Sequence, residues 1–189
     1  MEREFGPIKR HSYRQVSTAD QGTTEGAVLK KNYLIVDGYN MIFAWGGLKE
    51  LAEKDLSAAR HQLIELLGNY RGFVRNELVL VFDGYKIKGN LGDRFDVYGI
   101  HVVYTKEGQT GDMYIEKLLR EIGRNYAVRV ASSDALIQLS AVGSGVLRMS
   151  ALELKAEIDL VGEKIKAEME RLTRQKQREV SWSKEAKEQ

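Results

Sequence analysis

At 189 residues, with 30% charged and 43% hydrophobic side chains, the chain has the length and balance of one globular domain with tails. It has no cysteine, which excludes disulfide bonds, thiolate metal sites and cysteine nucleophiles, and no apolar stretch approaches the roughly 20 residues needed to cross a bilayer. The net charge of +2 permits an anionic partner without requiring one. We therefore expect a cytoplasmic protein with no membrane partner and no disulfide-linked partner.

The first part of the chain, residues 1–30, is polar and lacks helical or strand periodicity, so we interpret it as a flexible leader or a linker from a longer polypeptide. From residue 31 onward, predicted strands alternate with predicted helices. The strands are 33–36, 78–82, 98–105, 126–131 and 146–149, and the helices are 55–70, 113–122, about 134–143 and 150 to about 175. This alternation predicts an α/β fold with a mostly parallel central sheet covered on both faces.

Aspartates stand at the carboxyl ends of three predicted strands. The stretches "YLIVDGYNM", "LVLVFDGYK" and "VRVASSDAL" contain Asp37, Asp83 and Asp134. Ligands of open parallel sheets bind beyond the carboxyl strand ends, and carboxylates gathered there repel one another unless a cation lies between them. Oxygen ligands without His or Cys suit Mg²⁺ or Mn²⁺. A single aspartate after a strand is most often a helix N-cap, but three at the same edge favour a metal site.

Other polar side chains can join this edge. Asp112 lies at or just inside a predicted helix start, after a glycine-containing loop, and Glu116 follows one turn later on the same helix face. An ion pair with the arginine four residues further on is the alternative role for Glu116. Asn40 can turn its amide toward the same pocket, and Ser132 and Ser133 can hold the third aspartate or a water molecule.

Four stretches, in this order and spacing, resemble the YacP-type branch of the NYN domain family, within the PIN-like ribonucleases. They are "YLIVDGYNMI", "LVLVFDGYKIKG", "VVYTKEGQTGDMYIEKL" and "VRVASSDALIQ". The resemblance covers about residues 32–172. It implies a PIN-like three-layer sandwich, with the nuclease domain at 31–150 and a long basic C-terminal helix and tail at 151–189.

The resemblance also implies roles for individual residues. Carried over by position, the catalytic and metal-binding residues are Asp37, Asp83, Asp112 and Asp134, with Asn40 as a supporting catalytic residue. In the family's third motif a second acid often follows the aspartate, whereas "TGDM" has a methionine there. Glu116 is a further candidate ligand from the helix pattern described above.

A carboxylate cluster that holds Mg²⁺ or Mn²⁺ can bind a phosphodiester and activate water for its hydrolysis. The resemblance implies that the substrate is RNA, and YacP-type proteins are associated with cleavage of messenger RNA on the ribosome. The expected function is therefore a metal-dependent endoribonuclease, with RNA, messenger RNA in particular, and the ribosome as partners. The alternative is a catalytically silent RNA- or ribosome-binding module of the same fold.

Two basic segments are candidates for RNA contact. The loop "YKIKGNLGDR" combines Tyr85, Lys86, Lys88 and Arg94 with flexible glycines directly after a strand-end aspartate, so we expect it to overhang the crevice. The second segment, "RLTRQKQR" at 171–178, carries cations and no acids near the end of the long helix. Solvated charge on a helix explains the second segment equally well.

Overall fold

The computed structural model describes residues 31–74, 76–84 and 92–185, with the side chains of 178–185 left out of the description. The leader, 1–30, lies outside these residues. In chain order the elements are β1 (Asn32–Asp37), α1 (Gly38–Ala44), α2 (Gly46–Lys54), α3 (Leu56–Val74), β2 (Glu77–Phe82), β3 (Arg94–Val97), β4 (Ile100–Tyr104), α4 (Gly111–Ile122), β5 (Ala127–Ala131), α5 (Ala135–Gly143), β6 (Leu147–Met149) and α6 (Ala151–Glu185).

The strands form one sheet in the order β3-β4-β2-β1-β5-β6. Neighbouring strands run parallel except β3, which is antiparallel to β4. The predicted α/β fold with a mostly parallel sheet and a long C-terminal helix is therefore confirmed. In this order β1 lies between β2 and β5, so the carboxyl ends of these three strands are neighbours at one edge of the sheet, which we call the carboxyl edge.

Side chains of successive strand residues point to opposite faces of the sheet and build two cores. On one face, Leu34, Val36 and Leu80 pack with residues of α1, α2, α3 and α6. On the other face, Ile35 and Val81 pack with residues of α4 and α5. Burial on both faces explains why β1 and β2 are continuous apolar runs rather than alternating ones. The result is the expected three-layer sandwich.

Helices α1 and α2 and strand β3 were not predicted from the sequence. Strand β3 pairs with β4 through a two-residue turn at Tyr98 and Gly99, whose φ angles are 51° and 73°. Positive φ at both positions suits a tight hairpin because its twist matches that of the paired strands. The predicted strand at 98–105 was therefore wrong at its start, and β4 begins at Ile100.

Helix α6 begins with a capping box. The Ser150 backbone N–H donates to Glu153 Oε2 at 2.7 Å, and the Glu153 N–H donates to Ser150 Oγ at 3.2 Å. The first turns of α6 bury Leu154 and Ile158 in the core, whereas side chains from 166 to 177 are exposed. The helix runs to Glu185, about ten residues beyond its predicted end. No helix in residues 31–74, 76–84 and 92–185 is both long and apolar enough to cross a membrane.

Candidate functional site

Asp37 ends β1 and is the N-cap of α1. Its Oδ1 accepts a hydrogen bond from the Asn40 backbone N–H at 3.2 Å, and its Oδ2 accepts one from Ser132 Oγ at 3.0 Å. A Cβ at Gly38 would lie 2.4 Å from Phe82 Cε1, a separation that real Cβ atoms do not show. Glycine is therefore required after Asp37, and the aspartate is held at the carboxyl edge from two sides.

Asp134 is the N-cap of α5, so the structural role weighed for single aspartates is present here too. Its Oδ1 accepts from the backbone N–H groups of Leu136 and Ile137 at 2.8 and 3.3 Å. The Asp134 N–H donates to Ser132 Oγ at 3.1 Å, and the same hydroxyl donates to Asp37. Ser132, 1% exposed, thus links the two aspartates across strands β1 and β5.

Asp83 follows the last residue of β2, next to the start of α4. The turn after it is held by Thr105, whose Oγ1 accepts a hydrogen bond from the Gly84 N–H at 2.8 Å. A Cβ at Gly111 would lie 3.7 Å from Asp83 Cβ, which is ordinary contact distance. The N-terminus of α4 therefore approaches the end of β2 closely, as expected from the glycine-containing loop.

Asp112 lies in the first turn of α4, whose N-cap is Thr110. Burial raises the pKa of Asp112, and the charges of Asp134, Asp83 and Glu116 raise it further. The acids of α4 are therefore near enough to the acids after β2 and β5 for their charges to repel one another. Asp112 therefore lies at the same edge of the sheet as the strand-end acids, beside Gly111, which approaches Asp83.

Burial is also the main cause that raises the pKa of Asp37, from 3.8 to about 6. Hydrogen bonds from Asn40 and Ser132 oppose this rise, while the charges of Asp112 and Asp134 add to it. A carboxylate placed in this way is destabilised when ionised, and a nearby cation would relieve the cost.

Glu116 forms an ion pair on its own helix and also lies near another acid of the carboxyl edge. Arg120 Nη2 lies 3.5 Å from Glu116 Oε2, the i,i+4 pair of the alternative interpretation. Its charge also acts on Asp112. An exposed ion pair of this kind contributes little stability, so it does not prevent Glu116 from facing a cation.

The amide oxygen of Asn40 is engaged by the β5–α5 turn. Its Oδ1 accepts a hydrogen bond from the Ser133 backbone N–H at 2.8 Å, and Ser133 Oγ accepts one from the Ala151 N–H at 3.1 Å. Asn40 therefore ties the β1–α1 turn to the β5–α5 turn. This contact gives Asn40 a role in positioning Asp37.

Of the residues predicted to contact RNA, Tyr85, Lys86 and Lys88 lie outside the described residues. Arg94 was placed in a loop by the sequence, but it is the first residue of β3. Its guanidinium lies 5.4 Å from the centroid of the Tyr114 ring in α4. Pairing with β4 makes this segment a strand, and it brings Arg94 toward the first turns of α4.

The donor set at the carboxyl edge consists of carboxylates alone, which suits a hard divalent cation. In the part of the chain that the structure describes, no group of three or more His, Cys, Asp and Glu side chains is placed so that it could hold a metal ion. Mg²⁺ commonly takes only one or two protein carboxylates, because water and substrate phosphates complete its ligands. The residues present therefore fit such an ion in chemistry and in number.

Comparison with known proteins adds a direct assignment. A family model for the YacP-like NYN domain matches residues 34–189, most of the chain. The chain belongs to the YacP-like NYN domain family. The NYN domain is a PIN-like, nuclease-type domain, and the resemblance inferred from the four sequence stretches is confirmed.

Individual relatives agree with this assignment. This NYN domain chain is 37% identical over 145 residues to a Bacillus subtilis (strain 168) protein named "Uncharacterized protein YacP", covering 76% of this chain and 84% of that protein. The crystal structure of Rae1 (YacP) from Bacillus subtilis matches with a TM-score of 0.64 and 33% identity, over 82% of this chain and 89% of that one. A mutant form of Rae1 matches with a TM-score of 0.65 and 34% identity, over 75% and 84% of the two chains.

Sequence reasoning missed one set of residues beside the carboxylates. Aromatic side chains at the ends of β2 and β4 and in α1 pack together, with Arg60 of α3 against them. The signal in the sequence was an aromatic residue at each strand end, Phe82 before Asp83 and Tyr104 at the end of β4. Nonlocal pairing of β2 with β4 brings these two rings together.

Proposed function

We propose that this NYN domain is a divalent-metal-dependent endoribonuclease, a hydrolase that acts on RNA phosphodiester bonds. The proposal is carried by the position of Asp37, Asp83, Asp112 and Asp134 at one edge of the sheet, where they interact electrostatically. Carboxylates that repel one another lower the stability of the folded protein unless a cation binds between them. Membership of a PIN-like, nuclease-type family supports the same conclusion.

The proposed cofactor is Mg²⁺ or Mn²⁺, because the donors are carboxylate oxygens. Such an ion, when bound, would neutralise the carboxylates and polarise the phosphodiester. The candidate ligands are Asp37, Asp83, Asp112 and Asp134, of which one or two would bind the ion directly and the others through its bound waters. Glu116 is a further candidate because its charge already acts on the first turn of α4.

The protein's own contribution is to fix these acids before the substrate arrives. Ser132 bonds to both Asp37 and Asp134, and Asn40 bonds to the β5–α5 turn. These contacts join the ends of β1 and β5, so that two carboxylates are positioned together. The N-termini of α4 and α5 meet the same edge, and their partial positive charge favours the phosphate of a bound RNA.

Messenger RNA is the substrate class we propose, with the ribosome as the place of cleavage. This finer assignment is supported by the resemblance to YacP-type proteins. The phosphate contacts are expected from Lys86, Lys88 and Arg94, with Tyr85 beside them. Arg94 supports this because it lies against Tyr114, two residues after Asp112.

A catalytically silent RNA- or ribosome-binding module is the second candidate. It is favoured by the lack, within the described residues, of a group of three acids that could hold a metal ion. Met113, in place of a second acid in the third motif, favours it too. Such a module would bind RNA in the same way with and without Mn²⁺ and leave it intact.

The test is incubation of a defined messenger RNA with and without Mn²⁺, and with and without ribosomes, followed by mapping of the product ends. We expect cleavage that requires the metal and is lost in Asp112→Asn. The matched control is Asp159→Asn, because Asp159 is an exposed helical aspartate paired with Lys155 in α6. RNA that stays intact under all conditions would favour the silent module.

A further inference from the structure

Aromatic rings form a continuous row at the carboxyl edge, on the sheet face covered by α1 and α3. The rings follow one another with centroid separations of 6.0, 5.2, 5.3 and 6.2 Å in the order Phe95, Tyr104, Phe82, Tyr39 and Phe43. The inner rings of Phe82 and Tyr39 are buried, whereas Phe95 and Phe43 at the two ends are 44% and 47% exposed. The row therefore offers aromatic surface to solvent at both ends.

A cation is fixed against the same row. Arg60 Nη1 of α3 donates a hydrogen bond to Tyr39 Oη at 3.0 Å, and the Arg60 guanidinium lies 5.9 Å from the centroid of the Tyr104 ring. The two tyrosines therefore fix the position of the Arg60 guanidinium. An arginine held in this way favours an anionic or π-rich ligand.

The row is positioned directly beside the carboxylates. Phe82 and Asp83 are consecutive. Phe82 packs on the face covered by α1 and α3, whereas Asp83 lies against Gly111 at the start of α4, which covers the other face. Tyr39 follows Asp37 by two residues at the start of α1, and Phe82 is in register with Tyr104. A chain that crosses this edge would meet carboxylates on one side and aromatic rings on the other.

We propose that this row, together with Arg60, is a stacking platform for the bases of single-stranded RNA. The inference rests on the proposed function for the identity of the nucleic acid and specifies which form of RNA the site takes. Bases of any sequence stack on aromatic rings, so the platform would not select a sequence. Paired bases cannot offer their faces in this way. Stacking of unpaired bases on Phe95 and Phe43 would leave the adjoining phosphodiester at the carboxylates.

The test uses Phe95→Leu and Phe43→Leu, alone and together, because leucine keeps an apolar side chain and removes the ring. Binding of a labelled single-stranded RNA is measured by fluorescence anisotropy with Ca²⁺ in place of Mg²⁺. Each substitution should weaken binding by about fivefold or more. The slope of affinity against salt should not change, because no phosphate contact is lost. Binding of a fully paired RNA should be the same in all variants.

Two controls make the result specific. Phe73→Leu changes a phenylalanine of α3 that is 48% exposed near the opposite edge of the sheet, and it should bind like the parent. Phe95→Tyr keeps the ring and should restore binding to nearly the parent value, which separates stacking from a folding defect. The parent should bind an RNA with abasic positions more weakly than it binds the intact strand. The double variant should bind the two RNAs equally well.

The outcomes distinguish this inference from the proposed function. If the parent cleaves RNA with Mn²⁺ but both leucine variants bind single strands as tightly as the parent, the platform is refuted and the nuclease proposal stands. The same unchanged binding is expected if the row contacts another protein. If the parent binds single strands through these rings but cleaves nothing, the platform stands and the nuclease proposal fails.

Discussion

The substitution Asp37→Asn should make the metal-free protein more stable while it abolishes cleavage. Asparagine keeps the size of the side chain and one oxygen that can accept the hydrogen bond from the Asn40 N–H. It removes the negative charge that burial and the neighbouring acids destabilise, which is the reason that the pKa of Asp37 is raised from 3.8 to about 6. A gain of stability on loss of this charge is expected if Asp37 is a ligand of a cation.

The size of the effect follows from the pKa. The rise in the pKa of Asp37 from 3.8 to about 6 adds at most about 3 kcal/mol to the free energy of ionising this side chain in the folded protein. Because the folded-state pKa is raised, this cost is absent below about pH 4, grows between about pH 4 and 6 and is complete above about pH 6. Asparagine accepts one hydrogen bond fewer, which costs about 1 kcal/mol. The variant should therefore be about 2 kcal/mol more stable at about pH 8, or roughly 4–8 °C in Tm.

Thermal unfolding in EDTA at about pH 8 and about pH 4 measures this difference. At the lower pH the gain should vanish, because Asp37 is then neutral in the folded protein and only about half ionised in the unfolded chain, so that little of the cost of ionisation remains. Addition of Mg²⁺ should raise the Tm of the parent and leave the Tm of the variant unchanged. The control is Asp55→Asn, since Asp55 is an exposed N-cap that accepts from Ser57 and Ala58. That variant should cleave RNA normally and stay within about 0.5 kcal/mol of the parent.

Asp37 does not have this role if Asp37→Asn is less stable than the parent at about pH 8 in EDTA, or if its gain persists unchanged at about pH 4. Full retention of metal-dependent cleavage would exclude Asp37 as a ligand.

Three further substitutions test other parts of the site. Asp134→Asn should lose cleavage with stability within about 0.5 kcal/mol of the parent, whereas Asp134→Ala should also lose about 1 kcal/mol because the N-cap is gone; urea unfolding and cleavage assays separate the two roles. Ser132→Ala removes the hydroxyl that joins two aspartates and should cost about 1–3 kcal/mol, with slower cleavage at saturating RNA; unchanged cleavage would show that the link is structural only. Replacing Lys86, Lys88 and Arg94 together by alanine should weaken RNA binding, with little change in kcat. The dependence of affinity on salt concentration should fall by roughly one counterion per lost contact. If a salt titration shows no such change, residues 171–178 become the candidate for RNA contact.

Features that depend on neighbouring residues in the chain were predictable from the sequence. The apolar runs of β1 and β2 follow from short-range patterns, and the structure has them as expected. The aspartate after each run could be read in the same way, because a strand end and a helix start lie within a few residues of each other. Their meeting at one edge followed only under the assumption that the three strands are neighbours.

Tertiary structure decided the features that join distant parts of the chain. The order β2-β1-β5 sets Asp37 between the other strand ends, and Ser132, 95 residues later, holds it through one hydroxyl. No local pattern marks that serine as a link, because either aspartate alone would be satisfied by a cap. Arg94 was misplaced for the same reason: a short polar segment becomes a strand only when β4 offers an edge for pairing. The ring row from Phe95 to Phe43 likewise depends on strand pairing and helix packing. Its side chains are far apart in sequence, and they meet only when the fold closes the loops between them.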